Sequence, residues 1–139
     1  MAAAMANPDL DALVARWHAH VSNPDPRALW DWLHPDAVFE SPVVHTPQRG
    51  RDIVFKYLSS AEQVLGGEGF TYVGEWRSAN GVILEFTNVV EGLTVNGIDM
   101  ITFDPEGRII HFKVMVRPLK AINLMHRMMG EQLQKLASA

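Results

Sequence analysis

The sequence contains no cysteine, and this absence excludes several kinds of chemistry at once. Without thiols the chain can form no disulfide, no thiolate metal site and no cysteine nucleophile. Histidines are present, but no H-x-x-x-H motif or carboxylate–histidine cluster occurs. His18 and His20 are two residues apart on a predicted helix, so their side chains diverge and cannot share a metal. We therefore expect neither a metal nor a cofactor.

The sequence also lacks an excess of positive charge and any long apolar run. Its 16 Asp and Glu residues outnumber its 12 Lys and Arg residues, which gives a net charge of −4. A basic footprint for nucleic acid or an anionic membrane surface is therefore missing. No stretch approaches the ~20 apolar residues of a membrane span, and the opening MAAAMANPDL has no basic signal-peptide segment. We expect a cytoplasmic protein with no nucleic-acid or membrane partner.

The sequence contains enough apolar residues to form one hydrophobic core, and it contains clear signals for the starts of helices. Hydrophobic residues make up 47% of its 139 residues, which predicts a single domain over 1–139. Asn7 as N-cap and Pro8 at the first helical position begin a helix that continues to about Val21. Asp25 and Pro26 begin a second helix by the same logic. Periodicity predicts a strand over 38–44, a third helix over 52–65 and a C-terminal helix over 119–137.

The second half of the chain is predicted to be an antiparallel meander. Turn sequences at Asn80-Gly81, Glu91-Gly92 and 104–107 separate four strands, over 70–78, 82–90, 93–103 and 108–116. The Asn96-Gly97 pair lies inside the third of these strands, where glycine is typical of a bulge. Helices followed by a long antiparallel sheet indicate an α+β fold.

Three segments resemble a known superfamily: WDWLHPDAVFESPV, RGRDIVFKYL and VNGIDMITFDPEGRIIHFKVMVRP. Together they look like the NTF2-like superfamily, and within it the SnoaL-like and ketosteroid-isomerase-like branch. The resemblance implies an NTF2-like cone, in which helices pack inside a strongly curved, mainly antiparallel sheet around an apolar pocket. It does not imply one activity, because isomerases, cyclases, dehydratases, epoxide hydrolases and non-enzymatic binders share the cone.

The steroid-isomerase branch uses a tyrosine on the first helix, a base aspartate before a proline and a protonated aspartate on the sheet. Ungapped matching carries these positions to Trp17, Ser41 and Asp99. A serine hydroxyl does not remove a carbon-bound proton unaided, so Ser41 argues against the branch's isomerisation. Trp17 has a donor-only indole N–H in place of a phenol. Trp17 and Ser41 therefore remain candidate ligand-binding residues.

Asp99 is the main catalytic candidate, as a general acid or base. If it points into the cone, strand alternation gives it an apolar surrounding that raises its pKa. The same alternation makes Phe86, Phe112 and Val114 candidate ligand-binding residues. The alternative is that Asp99 caps a bulge at Asn96-Gly97 by accepting local backbone hydrogen bonds.

Three weaker candidates accompany Asp99. Tyr57 on the third helix is a possible second hydrogen-bond donor near Asp99, although an aromatic residue on a helix face is more often part of the core. His45 follows the Ser41-Pro42 segment near the expected pocket mouth, and otherwise is a loop residue. Asn88 is a candidate binding residue, with an exposed strand end as the alternative.

Two functions remain open at this stage. One is an enzyme of the isomerase, cyclase or dehydratase kind, with Asp99 acting on a small apolar or polycyclic carbonyl or hydroxyl compound. The other is a non-catalytic ligand-binding or accessory domain. An epoxide hydrolase is disfavoured, because that branch needs an Arg-x-Asp arrangement and an aspartate on the last strand. The resemblance also implies a homodimer through the outer sheet face, where alternation sends His111, Lys113, Met115 and Arg117. The C-terminal helix covers the cone mouth or packs elsewhere on the domain.

Overall fold

The described part of the chain forms four helices and six strands. The structure, a computed structural model, describes residues 9–138 and the side chains of 9–136. The elements in chain order are α1 (Leu10–Ser22), α2 (Pro26–Trp32), β1 (Leu33–Glu40), β2 (Gln48–Arg49), α3 (Arg51–Leu65), β3 (Thr71–Arg77), β4 (Gly81–Val90), β5 (Leu93–Phe103), β6 (Ile109–Arg117) and α4 (Leu119–Ser138).

All six strands belong to one curved, unclosed sheet. Its order is β2-β1-β6-β5-β4-β3. Strands β3 to β6 form the predicted meander, with antiparallel pairing throughout. Strand β1 returns beside β6 in parallel, and the short β2 pairs antiparallel with β1. The predicted α+β, mainly antiparallel NTF2-like fold is therefore confirmed.

Aspartate caps begin the first two helices. Asp9 accepts a hydrogen bond from the backbone N of Ala12 at 3.2 Å, and α1 starts at the next residue. Asp25 accepts from the backbone N of Arg27 at 3.0 Å, and Pro26 occupies the first helical position as predicted. The cap predicted at Asn7 and Pro8 lies outside the described residues.

Strand β1 lies earlier than the predicted strand over 38–44. It ends at Glu40, because Pro42 has no N–H to donate to a ladder. Parallel pairing of Phe39 with Phe112 and of Glu40 with Lys113 fixes its register. Ser41 therefore lies just past the strand, in the loop that leads towards β2.

The bulge predicted at Asn96-Gly97 is wrong. Gly97 pairs in regular register with Phe86 on β4 and Val116 on β6. A Cβ at Gly97 would lie 2.6 Å from Phe86 Cζ and 2.5 Å from the carbonyl oxygen of Met115. Glycine is thus required there by the close approach of an aromatic ring and of the neighbouring strand.

One continuous apolar core joins the concave face of the sheet to the helices. The largest fully buried side chains include Phe86, Phe103 and Phe112 from the sheet and Leu29 from α2. Helices α1, α3 and α4 add buried side chains to the same cluster. These side chains leave a cavity unfilled between the sheet and the helices.

Candidate functional site

A cavity of about 570 Å³ lies between the concave face of the sheet and helices α1, α3 and α4. This volume is in the range of pockets that hold small organic ligands. Its lining includes seven of the residues predicted to bind ligand or to be catalytic, namely Trp17, Ser41, Tyr57, Phe86, Asp99, Phe112 and Val114. The structure thus brings most of the predicted site residues around one space.

Asp99 is the polar centre of the sheet wall. It lies in the middle of β5, between Leu84 on β4 and Val114 on β6. Its relative exposure is only 8%. Tyr72 OH donates a hydrogen bond to Asp99 Oδ2 at 2.6 Å, and Trp17 Nε1 donates to Tyr72 OH at 2.9 Å. Asp99 thus accepts its hydrogen bond from a side chain on another strand. The alternative interpretation, in which Asp99 accepts backbone hydrogen bonds at Asn96-Gly97, is therefore wrong.

The electrostatics of this chain of hydrogen bonds follow from its burial. Burial raises the pKa of Asp99 from 3.8 to about 7, and the hydrogen bond from Tyr72 acts in the opposite direction. Burial and the neighbouring Asp99 charge raise the pKa of Tyr72 well above its usual value of 10.0. Tyr72 therefore stays a neutral donor, while Asp99 can change protonation state near neutral pH. Tyr72 holds Oδ2 of Asp99, and within residues 9–138 no hydrogen bond to Oδ1 is found.

Aromatic and aliphatic side chains surround Asp99 on the same wall. Phe86 and Phe112 are buried, and the Phe112 ring lies 5.3 Å from that of Trp17 between centroids. Val114 on β6 pairs with Asp99 and also lines the cavity. Such walls exclude water and strengthen any hydrogen bond that Asp99 makes to a ligand.

Ser41 borders the cavity but its oxygen is already used by the loop. Ser41 Oγ accepts hydrogen bonds from the backbone N of Val43 at 3.0 Å and of Val44 at 3.3 Å. This local turn is a common use of a serine next to a proline. The hydroxyl proton remains available to a ligand, whereas the oxygen has no neighbouring base that would activate it among the contacts described.

Asn88 lies outside the cavity lining, and its interpretation as an exposed strand end is wrong. Its relative exposure is 6%, so it is not an exposed strand end. Asn88 Nδ2 donates to the carbonyl oxygen of Leu65 at 2.7 Å, and its Oδ1 accepts from the backbone N of Val89 at 2.8 Å. Asn88 therefore ties β4 to the end of α3, which satisfies a terminal helix carbonyl.

Tyr57 borders the cavity, whereas His45 does not. The ring of Tyr57 packs on Phe39 with 5.1 Å between centroids. The hydroxyl group that donates to Asp99 belongs to Tyr72, and the role of Tyr57 as a second donor stays a prediction. His45 is exposed in the loop after β1, and His126 of α4 lies in the lining in its place.

Sequence reasoning missed Tyr72 because a bulge changes its side of the sheet. Trp76 pairs with Ile83 and Gly74 with Glu85, and the register then shifts so that Tyr72 pairs with Phe86. Without the extra residue Val73, Tyr72 would face away from the cavity. Gly74, next to the shift, was the available signal, since glycine within a strand is typical of a bulge.

Sequence reasoning also missed a second polar group in the cavity. Glu62 of α3 lies in the lining, and its Oε1 is in hydrogen-bond contact with Nε2 of His20 on α1. The two residues are far apart in sequence and carry no motif. Within residues 9–138, no group of three or more His, Cys, Asp or Glu side chains is arranged to hold a metal. No helix in that same stretch has the length and apolar character needed to cross a membrane.

Comparison with known proteins agrees with this architecture. The most similar of the solved structures compared include a steroid delta-isomerase from Pseudomonas aeruginosa, which is 38% identical over 93% of this chain and 94% of its own, with a TM-score of 0.86. An uncharacterised protein with a cystatin-like fold from Silicibacter pomeroyi is 29% identical over 86% of this chain and 84% of its own, with a TM-score of 0.78.

A more distant structure shows the fold alone. The epoxide hydrolase/cyclase-like enzyme SalBIII of salinomycin pyran-ring formation is 20% identical over 77% of this chain and 89% of its own, with a TM-score of 0.62. Comparison with curated protein sequences gave no match. The model of the SnoaL-like domain matches residues 2–112, and the chain therefore belongs to the SnoaL-like domain family.

Proposed function

We propose that this protein binds a small apolar carbonyl or hydroxyl compound and transfers a proton to or from it through Asp99. The observation that carries this proposal is the buried chain from Trp17 through Tyr72 to Asp99 in the wall of an apolar cavity. A carboxyl group with a pKa of about 7 is matched to proton transfer at neutral pH. The reaction class is that of an isomerase, cyclase or dehydratase.

In the neutral form of Asp99, Tyr72 donates to Oδ2 and the proton on Oδ1 is directed to a ligand oxygen. A carbonyl oxygen that becomes an enol or enolate receives this proton or a strong hydrogen bond. Trp17 holds the Tyr72 hydroxyl in place by donating to its oxygen. Trp17 thus acts on the reaction only through Tyr72, as a positioning residue.

An apolar cyclic ketone is the best first substrate to try. The similar protein from Pseudomonas aeruginosa bears the name steroid delta-isomerase, and its likeness covers nearly all of this chain. Phe86 and Phe112 supply flat apolar surfaces beside Asp99, which suits a rigid ring system with one oxygen. Cyclic ketones are therefore the compounds with which the proposal is tested.

The test is exchange of ligand protons by the wild-type protein and by Asp99→Asn. Cyclic ketones of one to four rings are incubated in D2O, and loss of the α-proton signal is followed by NMR. Asp99→Asn keeps an acceptor for Tyr72 and a similar volume, so binding measured by tryptophan fluorescence should persist. Exchange should fall by about 100-fold or more.

The alternative function is non-catalytic ligand binding. Ser41 supports it, because the position that holds a base in the steroid-isomerase branch carries a hydroxyl engaged with the loop backbone. Saturable binding of the ketones without exchange above the buffer rate would establish that function and reject proton transfer.

We also propose that the protein is a homodimer through the outer sheet face. Trp76 on β3 and Met115 on β6 expose 56% and 46% of their surface on that face. Light scattering coupled to size exclusion tests this proposal. Met115→Glu should convert a dimer to a monomer, whereas a monomeric wild-type protein would contradict it.

A further inference from the structure

The buried pair of His20 and Glu62 is not used by the Asp99 chemistry. The side chains of His20 and Glu62 are 6% and 17% exposed. Nε2 of His20 is in hydrogen-bond contact with Oε1 of Glu62. Glu62 belongs to the cavity lining. A carboxylate fixed by a histidine therefore faces the same space as Asp99, from α3 instead of the sheet.

The pair is also linked to the Asp99 chain. The rings of His20 and Trp17 are 5.5 Å apart between centroids. The negative charge of Glu62 contributes to the raised pKa of Tyr72, which places the two groups within electrostatic reach across the cavity. The cavity lining therefore contains two residues that carry a carboxyl group, Asp99 on the sheet and Glu62 on α3.

A purely structural role does not explain this arrangement well. A hydrogen-bonded pair that only joined α1 to α3 would stabilise the fold little more than an apolar pair, since the loss of hydration of buried polar groups offsets most of the gain from their hydrogen bond. Glu62 instead keeps part of its side chain exposed and lines the cavity, so the proposal requires that a ligand reaches its second oxygen there. A carboxylate within hydrogen-bond reach of the proton that it removes acts as a general base.

We propose that Glu62 is the base of the reaction and that His20 positions it. This inference rests on the proposed function, in which Asp99 binds a ligand carbonyl oxygen. It also accounts for Ser41, because the base is supplied by α3 and not by the loop after β1.

The proposed step is an enolisation with two carboxyl groups. The Glu62 carboxylate takes the proton from the carbon next to the carbonyl, and the C–H electron pair forms the C=C bond of the enol. The carbonyl π pair moves to the oxygen, which takes the proton from Asp99 Oδ1. Return of the Glu62 proton to another carbon of the conjugated enol, and of the enol proton to Asp99, completes a double-bond shift. No oxidant or cofactor is consumed.

The substrate class that this step requires is an apolar cyclic ketone with a double bond one carbon beyond the α-carbon. The probe is 3-cyclohexenone, whose conversion to the conjugated ketone is followed by absorbance. Glu62→Gln retains the size of the side chain and an acceptor for His20, but it removes the base. We expect kcat to fall by about 100-fold or more, with KM changed by less than about threefold.

Glu68→Gln is the matched control. Glu68 is exposed just beyond the end of α3, so the same chemical change outside the cavity should leave kcat unchanged. If Glu62→Gln fails to fold, Glu62→Asp replaces it, because it retains the charge but withdraws it by one methylene. Its kcat should then fall at least about tenfold with an unchanged melting temperature.

The role of His20 is tested by rescue. His20→Gln retains an N–H donor for Glu62, whereas His20→Leu retains only bulk. We expect His20→Gln to keep more of kcat than His20→Leu at equal melting temperature. Equal kcat in the two variants would show that His20 does not position Glu62 for the reaction and that the pair is only a structural contact.

The outcomes separate the two proposals. If the wild-type protein and Asp99→Asn are equally inactive on 3-cyclohexenone and on the ketones in D2O, the proposed function is wrong. The assignment of Glu62 as the base is then wrong as well. If Asp99→Asn loses activity and Glu62→Gln keeps it within about threefold, proton transfer by Asp99 stands and the assignment of Glu62 is wrong.

Discussion

Two walls of the cavity, the concave face of the sheet and helix α4, are built from different kinds of side chain. The sheet wall consists of buried aromatic residues in fixed register and a hydrogen-bonded carboxyl group, with Phe86, Phe112 and Asp99 as its main members. The α4 wall presents Met125 and Met129 from a single helix. Strand register leaves little freedom to the first wall, whereas unbranched thioethers adapt easily in the second. The difference indicates that the sheet orients a ligand and that α4 adjusts to its shape.

The largest predicted effect concerns the rigidity of the sheet wall. Phe112→Ala removes a ring that is 2% exposed and that contacts both Trp17 and Phe39. We expect the free energy of unfolding to fall by about 3–5 kcal/mol, measured by urea denaturation. Val89→Ala, at a position that is 64% exposed, should change it by less than about 0.5 kcal/mol. A loss below about 1 kcal/mol for Phe112→Ala would mean that the sheet wall is as adaptable as α4.

The next effect concerns the pH dependence of stability. Folding raises the pKa of Asp99 from 3.8 to about 7, so the folded state binds this proton more tightly than the unfolded state. The resulting stabilisation is fully present below the unfolded pKa and is lost as pH rises through the folded pKa.

The measurement compares the unfolding free energies of wild type and Asp99→Asn as a function of pH. The unfolding free energy of the wild type, relative to that of Asp99→Asn, should fall by on the order of 3 kcal/mol between about pH 4 and about pH 7. Because Asn does not titrate, every other group contributes equally to both proteins. A difference that stays flat across this range would show that Asp99 is ionised in the folded protein at acidic pH.

The sequence predicted the sheet well because its signals are local. The turns at Asn80-Gly81 and Glu91-Gly92 set the meander, and alternation then identified Asp99, Phe112 and Val114 on the concave face. These inferences need only neighbours along one strand or one hairpin.

The rest of the site depends on information that a local pattern does not hold. Tyr72 reaches Asp99 only because a bulge reverses its side of β3. His20 and Glu62 meet through the packing of α1 on α3. Asn88 was misinterpreted because its partner, the carbonyl oxygen of Leu65, belongs to a helix end that only the tertiary fold brings beside β4. Long-range contacts, and not propensities, decide these three positions.

The smallest predicted effect concerns the adaptability of α4. Met129→Leu conserves volume at a half-buried position, so the free energy of unfolding should change by less than about 1 kcal/mol. The branched side chain cannot rearrange as a thioether does, and the range of accepted ligands should therefore narrow. Affinities for ketones of one to four rings, measured by tryptophan fluorescence, should differ from the wild-type pattern by about three- to tenfold for at least one ring size.

Met128→Leu makes the same change one residue earlier, at a residue that packs against the core and is not part of the cavity lining. It should leave the wild-type order of affinities unchanged. If Met129→Leu and Met128→Leu both preserve that order, α4 does not select ligands, and shape selection must then come from the sheet wall alone. That result would assign both orientation and selectivity to Phe86, Phe112 and their neighbours, and it would leave α4 with the task of excluding water from Asp99.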